Sequence, residues 1–214
     1  MSLIVNEIFY SIQGESTHAG LPCVFIRLTG CNMRCTYCDT VYAYDEGHPM
    51  QISEILDSIG SFHCSMVEIT GGEPLLQAET PDLIAGLLRK QYRVLMETNG
   101  SIDIRATDPR CVRIMDVKCP GSGEHEKCNF RNFRYLGKRD QVKFVIGDRQ
   151  DYEYARDMLK RIPESIPNEN LLFSPISKKL APARLAEWIL KDHLQTRLHL
   201  QIHRVLWPEV ERGV

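Results

Sequence analysis

Apolar and polar positions along the chain switch repeatedly between a two-residue and a helical period. From Ile4 to Ile12 they alternate loosely, and the segment ends in Gln13, Gly14 and Glu15, a polar turn whose glycine permits close backbone approach to a ligand. Cys23 to Leu28, CVFIRL, reads as a short buried strand broken only by Arg27. Ile52, Ile55, Leu56 and Ile59 then recur along one face of a helix. Met66 to Thr70 predicts a strand that runs into Gly71, Gly72, Glu73 and Pro74, where the glycines leave backbone amides uncovered for a charged amino-acid group. A second helix follows, with Thr80 as N-cap, Pro81 at its first position, and Leu83, Ile84, Leu87 and Leu88 as its buried stripe.

The pattern then continues in the same way. Strands are expected at Arg93 to Glu97, which ends in Thr98, Asn99 and Gly100, at Val112 to Lys118, and at Gln141 to Ile146, where Lys143 interrupts the apolar run. A helix over Asp148 to Arg161 places Tyr152, Ala155, Met158 and Leu159 on one side. After a strand at Leu171 to Ser174 comes a helix near Pro182 to Lys191 with Leu185, Trp188 and Ile189, then the stretch Arg197 to Ile202 and the tail to Val214.

Strand and helix in alternation favour parallel strands joined by crossovers. The strands outnumber the helices, because 99–111 and 119–140 hold no helical stripe. The prediction is an α/β fold, one domain over residues 1–214, built as an incomplete TIM-like barrel of about six parallel strands with few helices. Polar and glycine-bearing clusters fall after the C-terminal ends of the strands, where parallel barrels build their active sites. The polar stretch Cys119 to Arg134 is long enough to cover such a site.

Composition narrows the class of protein without naming its chemistry. A chain of 214 residues with 43% hydrophobic and 25% charged residues is an ordinary globular one, and no repeat, low-complexity block or linker divides it. A formal net charge of −2 and a pI near 6.4 leave no electrostatic footprint for nucleic acid or an anionic membrane, so neither is an expected partner. The first residues lack the basic region, apolar run and cleavage site of a secretory signal, which predicts a cytoplasmic protein. In that compartment Cys23, Cys64, Cys111, Cys119 and Cys128 read as free thiols.

The chemistry centres on GCNMRCTYCDT, where Cys31, Cys35 and Cys38 are spaced C-x-x-x-C-x-x-C within one loop. Such thiolates suit an iron–sulfur cluster, and three ligands to a four-iron cluster leave one iron for another group. The alternatives are a zinc knot or buried free thiols. Structural zinc wants a fourth protein ligand, and His48 is not at finger spacing from Cys38. Arg27 presents a fork suited to a carboxylate, either a substrate acid or an internal Glu.

The cysteine loop with the following GGEP segment resembles the radical S-adenosylmethionine (SAM) signature. The resemblance implies a [4Fe-4S] cluster on Cys31, Cys35 and Cys38, SAM on the open iron, its cleavage to a 5′-deoxyadenosyl radical, and Tyr37 near the adenine. YSIQGES, RLTGCNMRC, CDT, TGGEPLLQ, ETNGS and QIHRVLW together resemble the 7-carboxy-7-deazaguanine synthase family nearly end to end. In that family the substrate is 6-carboxy-5,6,7,8-tetrahydropterin. Hydrogen abstraction at C6, ring contraction and loss of ammonia give the deazapurine of the queuosine pathway, and SAM is regenerated. The expected enzyme is thus a carbon–nitrogen lyase that needs no general base, since the radical does the activation and the protein positions.

Carried over to this chain, the resemblance assigns Mg²⁺ to Thr40. It assigns the substrate to Ile12, Gln13, Gly14, Arg27 and Thr70, joined by Glu15, Gln201 and His203. SAM contacts would be Tyr37, Cys38, Asp39, Gly72, the segment Asp116, Val117, Lys118 and the segment Ser174, Pro175, Ile176, Ser177. The pattern departs from some relatives, where an SPK-like stretch replaces 116–118 and Lys stands at the position of Arg204, and the tail after Trp207 varies. A homodimer and an electron donor such as flavodoxin or ferredoxin are also implied. The rivals are a glycyl-radical-enzyme activase, against which the QGES turn and QIHRVLW tail argue, and a non-catalytic zinc-binding module. Gln201 as a plain strand residue and His203 as a surface histidine are the bland readings of those two.

Overall fold

The computed structural model describes residues 1–214 and arranges them around one nine-stranded sheet. The strands are β1 (Ser2–Ile12), β2 (Pro22–Leu28), β3 (His48–Gln51), β4 (Met66–Gly71), β5 (Arg93–Thr98), β6 (Val112–Asp116), β7 (Gln141–Ile146), β8 (Leu171–Pro175) and β9 (Arg197–Leu198). Their order in the sheet is β3-β1-β2-β4-β5-β6-β7-β8-β9. From β2 to β9 every pairing is parallel, while β1 runs antiparallel to both β2 and β3. The sheet is open, with β3 and β9 as its edges, as the incomplete barrel expected from the strand surplus requires.

Strand alternation sorts each side chain to one of two faces. On β4, Val67 and Ile69 point outward into an apolar core, while Glu68 and Thr70 point inward to a cavity. On β7, Val142, Phe144 and Ile146 face outward, with Lys143 and Val145 inward. On β2, Val24, Ile26 and Leu28 face outward, with Phe25 and Arg27 inward. The two charges that interrupt apolar runs in the sequence are therefore inward residues.

The outer face is covered by α1 (Ile52–Gly60), α2 (Thr80–Arg89), α3 (Arg149–Leu159) and α4 (Pro182–Lys191). Ile55, Ile59, Leu83, Ile84 and Leu87 from α1 and α2 pack on Leu3, Ile26, Val67 and Val94. Tyr152 and Leu185 from α3 and α4 pack on Phe144 and Phe173, with Tyr152 and Phe173 meeting edge to face at 6.0 Å.

Local details depart from the sequence reading at several places. Thr80 is not the N-cap of α2 but its first residue, following Glu79; fully buried, it donates its hydroxyl to Pro74 O at 2.6 Å. β6 stops at Asp116 rather than Lys118. The stretch after it is not featureless but holds three 3-10 turns, Pro120–Ser122, His125–Lys127 and Phe130–Tyr135. β3, the 3-10 turn Val41–Tyr44 and α5 (His203–Leu206) are four residues each, too short to write a period into the sequence.

One buried ion pair ties the loop after these turns to the sheet. Arg113 and Asp140 are 5% and 2% exposed, and Asp140 also accepts from the backbone of Arg113 and Gly137 at 2.8 and 2.7 Å. Removing one partner strands the other charge in a dry interior. Asp140→Ala is expected to cost about 3–5 kcal/mol, and Arg113→Met with Asp140→Leu distinctly less, in urea unfolding of the apo protein.

Candidate active site

At the C-terminal ends of the strands lies a cavity of about 590 Å³, inside the 300–1,000 Å³ range usual for small-molecule sites. Residues from β1, β2, β4, β5, β6 and β7, and from the segments after β8 and β9, line it, so the open sheet curls around it.

The floor is built on Lys143. Its ammonium meets Glu15 at 2.6 Å, Asp116 at 3.5 Å, and Glu97 more closely still. Glu15 also accepts from Gln201 Nε2 at 2.6 Å, and Glu68 accepts from Gln13 Nε2 at 2.6 Å. Burial opposes the charge on Glu15, but Lys143, the nearby His199 and the two hydrogen bonds hold its carboxyl well below the usual carboxylate range. Burial also opposes the charge on Lys143, yet Glu15, Glu97 and Asp116 raise it well above the usual lysine value. Glu68 goes the other way: burial, then repulsion from Glu97 and Glu15, pushes it up to about 8. Near neutral pH the floor therefore offers a charged acceptor at Glu15 and a protonated carboxyl at Glu68 that has a hydrogen to donate.

On one wall, Arg27 Nε donates to Glu7 at 2.7 Å, so an internal Glu does engage it. The guanidinium also lies 5.6 Å from the Phe9 ring and 5.8 Å from that of Tyr42. Only Nε is used by the protein, which leaves the terminal nitrogens for the cavity that Arg27 lines. The His203 ring lies directly over Gly14, where a Cβ would stand 2.0 Å from Nδ1, and Arg204 donates to Asp39 at 2.9 Å.

The cysteine loop lines the same cavity. Met33, 1% exposed, anchors it in the interior, and Arg34 donates to the carbonyls of Cys31 and Met33 at 2.8 Å each while its guanidinium stacks 4.1 Å from the Tyr44 ring. Thr36 donates its hydroxyl to Gly121 O at 2.8 Å and its N–H to Ser122 O at 3.1 Å, and Lys127 donates to Asn32 O at 3.1 Å. The segment after β6, expected to cover the site, thus braces the cysteine loop.

Cys31, Cys35 and Cys38 all line the cavity, half-buried. The donor set is three thiols on one short loop, with no histidine or fourth cysteine among the cavity residues of that loop. Structural zinc takes a fourth protein ligand, whereas three thiolates suffice for a four-iron cluster that leaves one iron to another group. Burial pushes the Cys35 thiol up to about 11 and raises that of Cys31, so both ionise readily only with a bound cation to take the charge. The three thiols therefore fit a [4Fe-4S] cluster. Two buried polar atoms at the cavity, Tyr37 Oη and Asp116 Oδ1, lack any protein partner, as atoms awaiting a polar ligand such as SAM do.

The GGEP segment works differently from the sequence reading. The amides of Gly72 and Glu73 are not free: they donate to Leu28 O at 3.2 Å and Gly30 O at 2.7 Å. A Cβ on Gly72 would stand 2.0 Å from Gly30 O, so its lack of side chain serves contact between β4 and the cysteine loop. Glu73 is fully buried and accepts from Thr98 Oγ1, Asn99 N and Leu75 N, a staple between two loops.

Of the expected site residues, Ile12, Gln13, Gly14, Glu15, Arg27, Thr70, Gln201 and His203 line the cavity, as do Tyr37, Asp39, Thr40, Gly72, Asp116, Lys118, Ile176 and Ser177. Three do not. Val117 points outward into the core beneath α3, and Ser174 and Pro175 are buried within the end of β8. Sequence reasoning passed over Glu68, Glu97, Lys143, Asn99 and Arg204, all cavity residues. For the first three the signal was present: each is a charge at an inward position of a strand. His199 was also missed. It is 3% exposed, unpartnered at both ring nitrogens, and pushed down to about 4 by burial.

Comparison with known proteins gives a consistent result. The radical SAM superfamily matches residues 25–115. A 7-carboxy-7-deazaguanine synthase of Koribacter versatilis is 39% identical, covering 98% of this chain and 99% of its own. That of Chlorobaculum tepidum is 41% identical over 99% of this chain and 97% of its own, and that of Thermoplasma acidophilum 35% identical over 97% and 99%. Among solved structures, QueE from Escherichia coli superposes with a TM-score of 0.78 over 94% of each chain at 24% identity, a likeness of fold.

The raised Glu68 carboxyl makes stability depend on pH. Folded Glu68 binds its proton up to about pH 8, whereas the unfolded residue releases it near 4.5. Between those values the native state holds more protons, so stability falls as pH rises. Glu68→Gln removes this loss: its stability relative to wild type is expected to improve steadily from pH 5 to pH 8 in urea unfolding of the apo protein.

Proposed function

The chain belongs to the 7-carboxy-7-deazaguanine synthase family of radical SAM enzymes, and on that footing we propose that it converts 6-carboxy-5,6,7,8-tetrahydropterin to 7-carboxy-7-deazaguanine by hydrogen abstraction at C6, ring contraction and loss of ammonia. The observation that carries the reading is the cavity itself: the floor of carboxylates around Lys143, three half-buried thiols and Arg27 line one chamber. An activase that abstracts hydrogen from a protein backbone has no use for such a floor.

Cys31, Cys35 and Cys38 would hold the cluster, which together with SAM would supply the one-electron chemistry for hydrogen abstraction from the substrate. The rest falls to the chain's own side chains. Arg27 pairs with the pterin carboxylate through its free terminal nitrogens, while Glu7 holds Nε and so fixes the plane of the fork. Glu15 accepts from N–H groups on the pterin edge, and protonated Glu68 donates to an acceptor there. Lys143 keeps the carboxylates of the floor from repelling one another, and Gln13 and Gln201 hold Glu68 and Glu15 in place. SAM is given to Tyr37, Cys38, Asp39, Gly72, Asp116, Lys118, Ile176 and Ser177, all of which line the cavity. His203 over Gly14 closes one side against water.

Mg²⁺ prefers hard oxygen donors, and it is given to the Thr40 hydroxyl, at the cavity, together with the substrate carboxylate. The reading further includes a homodimer, a flavodoxin or ferredoxin as electron donor, and the cytoplasm as compartment. No helix of the chain is long and apolar enough to cross a membrane, and none of the eight cysteines is in a disulfide.

An oxygen-free reaction of reconstituted protein with SAM, dithionite, Mg²⁺ and 6-carboxytetrahydropterin, followed by mass spectrometry, tests the proposal. The expected product is lighter than the substrate by one ammonia, with little 5′-deoxyadenosine accumulating; deoxyadenosine without that product discards the substrate. Arg27→Gln is expected to weaken pterin binding by roughly 10- to 150-fold, the equivalent of about 1.5–3 kcal/mol for a charge-assisted hydrogen bond. Cleavage of SAM without substrate should change little, and an equal fall in both would reject the role given to Arg27.

A further inference from the structure

After α5 the chain does not leave the site. Pro208 and Val214 both line the cavity, so the segment between them starts and ends at what we call its mouth. Between them Arg212 grips the body of the protein: Nη1 and Nη2 donate to the two carboxylate oxygens of Glu46 at 2.8 and 3.1 Å, and the guanidinium lies 4.0 Å from the centre of the Tyr42 ring. The receiving turn is itself anchored, since Glu46 O accepts from Asn6 Nδ2 at 2.8 Å and from Thr29 Oγ1 at 2.5 Å. A Cβ on Gly47 would stand 2.1 Å from Thr29 Oγ1 and 3.0 Å from Val5 O, so the turn fits closely against β1 and the residue after β2.

Tyr42 connects this clasp to the wall of the cavity. Its hydroxyl donates to Glu7 Oε1 at 3.1 Å, the same oxygen that accepts from Arg27 Nε at 2.7 Å. The ring of Tyr42 thus lies against two guanidiniums, that of Arg212 from the tail and that of Arg27 from the cavity. An isolated exposed ion pair is worth little, but a bidentate fork stacked on a ring and set on an anchored turn has geometry to transmit.

We propose that Arg212 is a positioning residue for substrate binding. By clasping Glu46 and Tyr42 it holds residues 208–214 at the mouth and, through Tyr42 and Glu7, fixes the orientation of Arg27. The inference rests on the reading that Arg27 takes the carboxylate of the pterin. It assigns no part in SAM binding or SAM cleavage to the clasp.

The test compares wild type with Arg212→Gln, Arg212→Lys, Glu46→Arg and the exchange of Arg212→Glu with Glu46→Arg, all as reconstituted holoenzymes. Arg212→Gln should raise KM for 6-carboxytetrahydropterin two- to five-fold, the factor that matches a lost exposed cation–π contact. Its kcat, its SAM affinity and its SAM cleavage without substrate should stay as in wild type. Arg212→Lys, which keeps the charge but not the fork, should fall between the two. The charge exchange should recover part of the loss that Glu46→Arg alone causes. Hydrogen exchange of the amides at 209–214 in SAM-loaded protein should quicken in Arg212→Gln, independent of turnover. An unchanged KM, equal weakening of pterin and SAM, or a charge exchange no better than Glu46→Arg alone would each overturn the proposal. A wild type that cleaves SAM but does not convert the pterin would instead remove the substrate reading, and the role of Arg212 with it.

Discussion

The site depends on one ammonium group placed among carboxylates away from water. Lys143 is 4% exposed, and Glu15, Glu97 and Asp116 all reach it. Without Lys143, three carboxylates and Glu68 would face one another in a medium that screens little, and each would take up protons or part from its neighbours. With it, adjacent groups hold opposite protonation states: Glu15 ionised, Glu68 neutral. That difference gives the floor both acceptors and a donor, the pattern a heterocycle edge requires, from a single residue type.

The same economy holds at the cysteine loop. Its thiols stay in place because the backbone around them is bonded on several sides: by Arg34 to its own carbonyls, by Thr36 and Lys127 to the segment after β6, and by the Gly30 carbonyl to the Glu73 amide. Glu73, at first sight a reactive carboxyl in a motif beside the site, is spent on hydrogen bonds within the fold. A cluster ligand set is thus fixed by neighbours far apart in sequence.

Much of this was legible from the residues, and for identifiable reasons. Short stretches rich in apolar and β-branched residues, broken by charged or polar side chains, placed β4 to β8, because one face of these strands is core and the other, in β4 to β7, meets the cavity. The three-cysteine spacing and the glycine-rich strand ends located the site, since such local constraints leave marks in a few adjacent positions. What was not legible is non-local. That Lys143 meets Glu15 is a matter of two strand ends converging across 128 positions, and nothing near either residue announces it. Thr80 looked like a cap because it precedes Pro81, yet tertiary burial claimed its hydroxyl for Pro74. Ser174 and Pro175 were placed in the cavity by likeness of sequence, but the strand continues through them and only Ile176 and Ser177 emerge beyond its end.

The reach of the Glu15 contacts has a bearing on how the protein is made. Glu15 binds Lys143 128 positions away and Gln201 186 positions away, and Arg212 binds Glu46 across 166. Closing such loops is entropically slow and needs almost the whole polypeptide to have been synthesised. The three cysteines, by contrast, lie within eight consecutive residues near the start. On a ribosome the ligands for iron emerge long before the floor and the clasp that shut the chamber, so there is an interval in biosynthesis when the metal centre can be installed through an open door.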